Sequence, residues 1–200
     1  MYYKDLFKKS KEMSFFVNKI TDENLKHACE CLKTNDTVTV MNLQYHNLTS
    51  KGMRYISQLL LESENIKELY LCKNQITAKG AKYLSEALKK NKSLKILDIS
   101  NDSSFSFEIV NNISEKGAKY LCDGLLQNNT LTDLNISYNK ITSEGAKHIA
   151  KILEKNESLI SLNLINNEIN FDGCEAIAKS LQKNKTLKKL KLSGNPIGNE

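Results

Sequence analysis

The chain has 200 residues, 40% of them apolar, with a net charge of +6, one proline and eight glycines. This is enough apolar material for a continuous core, and no low-complexity linker interrupts it. The positive charge is almost all lysine, with Arg54 the one arginine. A nucleic-acid reader relies on arginine for bidentate contacts to phosphates and bases, so no nucleic-acid partner is expected.

Residues 1–9 come first, with Tyr2, Tyr3, Leu6 and Phe7 on one face of a short helix. This segment is expected to cap whatever core follows. From residue 10 onward one pattern returns: apolar-x-x-Leu-x-Leu-x-x-Asn-x-Ile. A weak first copy has Met13, Phe15, Asn18 and Ile20. The second starts at Val38, with Met41 and Leu43, and has His46 at the asparagine position. The third is the cleanest: Ile66, Leu69, Leu71, Asn74 and Ile76. The fourth starts at Leu94, with Leu97 and Ile99, and Asp102 reads as its asparagine substitute. The fifth runs Leu131, Leu134, Ile136, Asn139, Ile141, and the sixth Leu159, Leu162, Leu164, Asn167, Ile169. The seventh has Leu187, Leu190, Leu192, Asn195 and Ile197, and stops at Glu200 where its helix should begin.

Glycines at 52, 80, 117, 145 and 173 act as a ruler, with steps of 28, 37, 28 and 28 residues. The long step leaves nine extra residues in the fourth repeat. Each repeat divides into a short strand around Leu-x-Leu, a turn at Asn-x-Ile, and a helix of about 13 residues. Thr21, Thr49, Thr77, Ser114 and Thr142 stand where helix N-caps are wanted. Ala81, Leu84, Ala87 and Leu88 form an inward stripe, and Lys79, Lys82, Lys89 and Lys90 the outward face. Parallel strands sit about 4.8 Å apart, while helices need about 8–10 Å. Stacking one of each per repeat therefore bends the array. The expected fold is an α/β, right-handed solenoid shaped as a horseshoe, one domain over 1–200, with strands on the concave face and helices on the convex face. The repeated asparagine is expected to bond backbone groups of its own turn and of the next repeat.

The 28-residue length, the outer helix and Leu-x-x-Leu-x-Leu-x-x-Asn-x-Ile-x-x-x-Gly over residues 10–200 resemble the ribonuclease-inhibitor type of leucine-rich repeat. That class includes ribonuclease inhibitor, the Ran GTPase-activating protein, the sensor regions of NOD-like receptors and secreted bacterial effectors. The resemblance implies a module that binds a protein partner through the concave face or its rim; because the repeat fills the chain and no catalytic motif is visible in it, an enzyme is not expected. A cytoplasmic protein, or an effector secreted into a host cell's cytosol and acting on a host protein, is the expected setting. The alternatives are a Ran-type GTPase-activating protein, or the sensor or targeting arm of a longer protein. The chain is expected to be a monomer, with further repeats or a partner contact covering the seventh repeat.

Chemistry-bearing residues are sparse. The five cysteines, Cys29, Cys31, Cys72, Cys122 and Cys174, are odd in number and form no Cys-x-x-Cys pair, which reads as reduced thiols. His27 and Cys31 are four residues apart, but no four-ligand metal spacing accompanies them. No Gly-rich phosphate loop or Ser/His/Asp set is present, so no cofactor is expected. No stretch has the length of a signal peptide's apolar region or of a membrane span.

Candidate contact residues lie on the concave face. Between the inward apolar pairs stand Ser14, Asn42, Tyr70, Asp98, Asn135, Asn163 and Lys191. The next outward positions are Phe16, Gln44, Cys72, Ser100, Ser137, Ile165 and Ser193. Tyr45, Tyr70 and Tyr138 are the expected anchors, because tyrosine combines a large apolar area with a polar tip. Cys72, Asp98, Asn135 and Asn163 are expected beside them. The 103–112 insertion, with Phe105, Phe107 and Ile109 alternating, is expected to hang over the rim as a second binding element. The competing reading packs its phenylalanines back onto neighbouring turns. His46 and Asp102 are two strand spacings apart, about 10 Å, so both read as turn-capping substitutes rather than an acid–base pair.

Overall fold

The computed structural model describes residues 10–14, 19–102 and 110–198. The segment 1–9, Phe15, Phe16, Asn18, Phe105, Phe107 and Ile109 lie outside the described residues.

Seven strands of three residues each form one parallel sheet in chain order: β1 (Glu12–Ser14), β2 (Val40–Asn42), β3 (Glu68–Tyr70), β4 (Ile96–Asp98), β5 (Asp133–Asn135), β6 (Ser161–Asn163) and β7 (Lys189–Lys191). Six helices alternate with them: α1 (Asp22–Leu32), α2 (Ser50–Glu62), α3 (Ala78–Leu88), α4 (Ser114–Leu125), α5 (Thr142–Leu153) and α6 (Phe171–Leu181). Each helix packs on the next one along the chain. Sheet and helices form two layers, and the core lies between them.

The strand pattern explains the layering. The central residue of each of β1–β6, namely Met13, Met41, Leu69, Leu97, Leu134 and Leu162, is buried. Its neighbours on either side are half-exposed through β2–β6, so one sheet face meets the helices and the other stays open. On the helices, Ala81, Leu84, Ala87 and Leu88 are buried as their spacing requires, and Lys79, Lys82 and Lys90 are exposed. In β7 the packing thins: Leu187, Leu190 and Leu192 are partly buried against the same core. The long step between repeats does not shift the register. Leu97 pairs with Leu134 as Leu69 pairs with Leu97, so the nine extra residues are absorbed outside the ladder.

The repeat asparagine joins the rungs, and it reaches back to the preceding repeat rather than forward to the next. Asn167 Oδ1 accepts from the backbone N–H of Asn139 at 2.8 Å and Ile141 at 3.4 Å. Its Nδ2 donates to the carbonyls of Ile136 at 2.9 Å and Ile165 at 3.4 Å. Asn74, Asn139 and Asn195 do the same for their own neighbours. In the fourth repeat this work falls to Asn111, not to Asp102. Asn111 Oδ1 accepts from Ile76 N–H at 3.0 Å, and Nδ2 donates to the carbonyls of Leu71 at 2.9 Å and Ile99 at 3.2 Å. Asp102 belongs to the insertion, which therefore precedes the ladder asparagine. Residues 111–113 are ordinary repeat.

A second asparagine series closes the helix-to-strand loops. Asn128 donates to the carbonyls of Leu88 and Asn91, and its Oδ1 accepts from Thr130 and Leu131 N–H. Asn91, Asn156 and Asn184 repeat this arrangement. The signal was in the sequence as Asn-x-Ser/Thr-Leu.

Three of the expected caps form: Thr21 accepts from Asn24 N–H, Thr49 from Lys51 and Thr77 from Lys79. Ser114 and Thr142 do not cap. They take left-handed φ of 59° and 61°, and their N–H groups donate to the carbonyls of Asn139 and Asn167 in the following rung. Asn170 caps α6 through Gly173 N–H instead.

Candidate functional site

The open sheet face is built from the residues flanking each buried strand centre. Tyr70, Asp98, Asn135 and Asn163 stand on it, half-exposed, one per rung from β3 to β6. Hydrogen bonds hold most of these side chains in place. Tyr70 Oη donates to Glu68 Oε2 at 2.7 Å. Asp98 Oδ1 accepts from the N–H and hydroxyl of Ser100, and its Oδ2 accepts from Asn135 Nδ2 at 2.9 Å. Asn135 Oδ1 accepts from the N–H and hydroxyl of Ser137, and Asn163 Oδ1 from Ile165 N–H. The face is thus a fixed polar surface whose side chains need little ordering when something binds.

Cys72 does not stand on this surface. It is only 7% exposed, and burial pushes its thiol up to about 11. Ser100 and Ser137, at the equivalent positions, are buried too. The strand ends two residues earlier, so the alternation that pointed them outward no longer applies.

Beyond these residues the chain turns. Tyr45, Lys73 and Tyr138, each one residue before the ladder position, have φ of 64°, 55° and 57°. Their N–H groups donate to Cys72, Ser100 and Ile165 carbonyls of the next rung. The left-handed turn recurs at Asn166 and Gly194, so it belongs to the scaffold. On it sits a rim cluster. Tyr45, 52% exposed, donates its hydroxyl to Asp102 Oδ2 at 2.7 Å, and Lys73 Nζ is 3.2 Å from Asp102 Oδ1. The hydrogen bond to Asp102, then burial, pushes the Tyr45 phenol up to about 12. Asn101 pins the root of the insertion: its Nδ2 donates to the carbonyls of Asn111 and Tyr138, and its Oδ1 accepts from Asn111 N–H. Sequence reasoning missed Lys73 and Asn101 in these roles. Tyr138 is half-exposed on the same rim, and Phe105 and Phe107 fall outside the described residues.

His46 does replace the ladder asparagine. Its Nδ1 accepts from Ile20 N–H at 3.3 Å, the bond an asparagine Oδ1 makes elsewhere. That nitrogen must be unprotonated to accept. Burial, with the charge of Lys19, holds its pKa below the usual histidine value of 6.5. A depressed folded-state pKa means that the unfolded chain binds the proton first as pH falls. The contribution of His46 is therefore complete above about pH 6.5 and is lost as pH drops through the lower folded value. Urea unfolding from pH 7 down to pH 5 should show His46→Asn losing less stability than wild type. Identical slopes would contradict this role.

Among the described residues, no three His, Cys, Asp or Glu side chains group as a metal site, and no helix is long and apolar enough to cross a membrane.

Comparison with known proteins fits this geometry. The profile of a family described as Leucine Rich repeat matches residues 62–85, 127–150, 155–178 and 183–200. The insertion-bearing repeat falls between the first two of these stretches. No curated protein matches the sequence. Among solved structures, actin-binding site 2 of leiomodin-1 is similar with a TM-score of 0.60 and 24% identity, covering 77% of this chain and 84% of that one. The tropomodulin C-terminal domain of Caenorhabditis elegans is similar with a TM-score of 0.61 and 13% identity, covering 81% and 92%. At these identities the likeness is one of fold. With seven stacked strand–turn units, the asparagine ladder between them and these matches, the chain is a leucine-rich repeat protein.

Proposed function

We propose that the chain is a protein-binding module whose partner lies along the open sheet face. The observation that carries this reading is the face itself: no described element covers it, and its polar side chains are already held in one arrangement. Tyr70 is the central anchor, with Asp98, Asn135 and Asn163 beside it. Tyr45 and Tyr138 extend the contact onto the rim, and the 103–112 segment with Phe105 and Phe107 forms its second element. Cys72, being buried, drops out. Actin is the first partner to test, because the leiomodin-1 structure of this fold is an actin-binding site.

The test combines co-sedimentation with filamentous actin and pull-down from cell lysate. It compares wild type, Tyr70→Ala and a variant shortened within residues 103–110, which leaves the ladder Asn111 in place, each checked for a native melting profile. Tyr70→Ala should weaken the captured partner about tenfold, the loss of a modest interface anchor. If neither variant changes what is captured, the face and the insertion are both excluded as contact surfaces.

A further inference from the structure

The open face is not uniform in charge. Glu68 on β3, Asp98 on β4 and Asp133 on β5 occupy three successive rungs, with the half-exposed side chain of Ile96 beside them. On β6 the matching residues, Ser161 and Asn163, are neutral. On β7 they are Lys189 and Lys191, both exposed.

The hydrogen bonds these carboxylates accept come from neutral groups: Tyr70 to Glu68, Ser100 and Asn135 to Asp98, and Thr132 to Asp133. Such bonds orient a carboxylate without cancelling its charge. None of the three carboxylates, nor Lys189 or Lys191, joins an ion pair among the described residues. The ion pairs that do form lie on the helices and their loops, as at Lys89–Glu86 and Lys147–Glu144, or on the rim at Lys73–Asp102. The negative field is concentrated enough to act on Tyr70. Burial first, then Glu68, with smaller contributions from Asp98 and Asp133, pushes its phenol up to about 12. A shallow depression runs between the two poles, lined by Asp98, Asp133, Asn135, Asn163, Lys189 and Lys191.

We propose that this face takes a charge-polarised protein segment laid across the strands, its basic end over β3–β5 and its acidic end over β7. The proposal rests on the reading of the open face as the binding surface, and adds the partner's chemistry and its direction. From β5 to β7 is two strand spacings, about 10 Å, and from β3 to β7 four, about 19 Å. An extended segment of about three to six residues, or about two to four turns of helix, bridges that span. Its middle is neutral and polar, to suit Ser161 and Asn163. A uniformly basic segment would set like charges against Lys189 and Lys191. A nucleic-acid backbone would meet three carboxylates. Placing opposite charges at the two ends favours one orientation over its reverse, which gives specificity more than raw affinity.

Two synthetic peptides of one composition serve as probes. In one, arginines fill one end and glutamates the other, with a neutral middle. In the other, the same residues alternate. Each is titrated at low salt into isotope-labelled protein and followed by amide chemical shifts. The block-charged peptide should shift amides of β3–β5 and β7 and bind about tenfold tighter than the alternating one. Asp98→Asn with Asp133→Asn should remove that preference. So should Lys189→Gln with Lys191→Gln, whose side chains are exposed and leave the core untouched. Equal binding of both peptides on the strands would overturn the polarity and leave the binding face standing. Shifts confined to the helices would overturn both.

Discussion

Replacing Asn111 by alanine is expected to lower the unfolding free energy by about 3–5 kcal/mol, as buried amide partners are lost together. Asn111 is 2% exposed, so water cannot replace what the side chain supplies. Ile76 N–H and the carbonyls of Leu71, Ile99 and Ser100 would each lose a hydrogen bond. Ile76 N–H would be stranded, at about 1–3 kcal/mol, whereas the three carbonyls keep donors in Asn74, Asn139 and Lys73, so each bond lost there costs about 0.5–1 kcal/mol. The neighbouring Asn112 is exposed, and Asn112→Ala should stay within about 0.5 kcal/mol of wild type. Urea unfolding of the two variants decides the register of the fourth repeat. Equal losses would mean that Asn111 is not the rung asparagine.

Gly124→Ala should destabilise by about 2 kcal/mol, against the helix propensity that favours alanine by about 1 kcal/mol. A Cβ at Gly124 would lie 2.9 Å from both the carbonyl oxygen and the hydroxyl of Ser85, and 3.1 Å from its Cα. Two of those three atoms are backbone, which cannot rotate away. The Ser85 hydroxyl is itself committed, donating to Tyr120 carbonyl at 2.5 Å. Helices α3 and α4 would have to separate, and Gly117, whose Cβ would meet Ala78 Cα at 3.2 Å, shows how closely they approach at their other end. Gly198→Ala is the control, since nothing lies within 4 Å of its Cβ position. Thermal unfolding that left Gly124→Ala as stable as wild type would refute the close contact.

The scaffold was legible because its signals are periodic. Apolar strand centres at 28-residue spacing gave the strands, their order and the register across the insertion. What stayed hidden was local. Counting forward from Ile99 at the usual spacing lands on Asp102, whereas counting back from Ile113 lands on Asn111, and only the hydrogen bonds choose between them. Parity pointed Cys72 outward, but parity holds only while the strand lasts. Ser114 and Thr142 had cap-competent side chains, yet their N–H groups are drawn to the next rung. Of the site, the positions on the open face could be read, and their mutual hydrogen bonds could not. The rim cluster was invisible because Tyr45 and Asp102 are 57 residues apart and meet only through the stacking. The effector and GTPase-activating readings drew on the resemblance and not on any site residue, since a repeat dictates spacing and leaves the rim residues free.

The ladder asparagines face backward, and this makes the stack vectorial. The N–H groups of Leu48, Ile76, Ile113, Ile141 and Ile169 each wait for an amide oxygen carried by the repeat that follows. A repeat is therefore finished not when its own residues are in place but when its successor arrives. On a ribosome, where the amino-terminal repeats emerge first, consolidation runs one rung behind synthesis, each new turn locking the one before it.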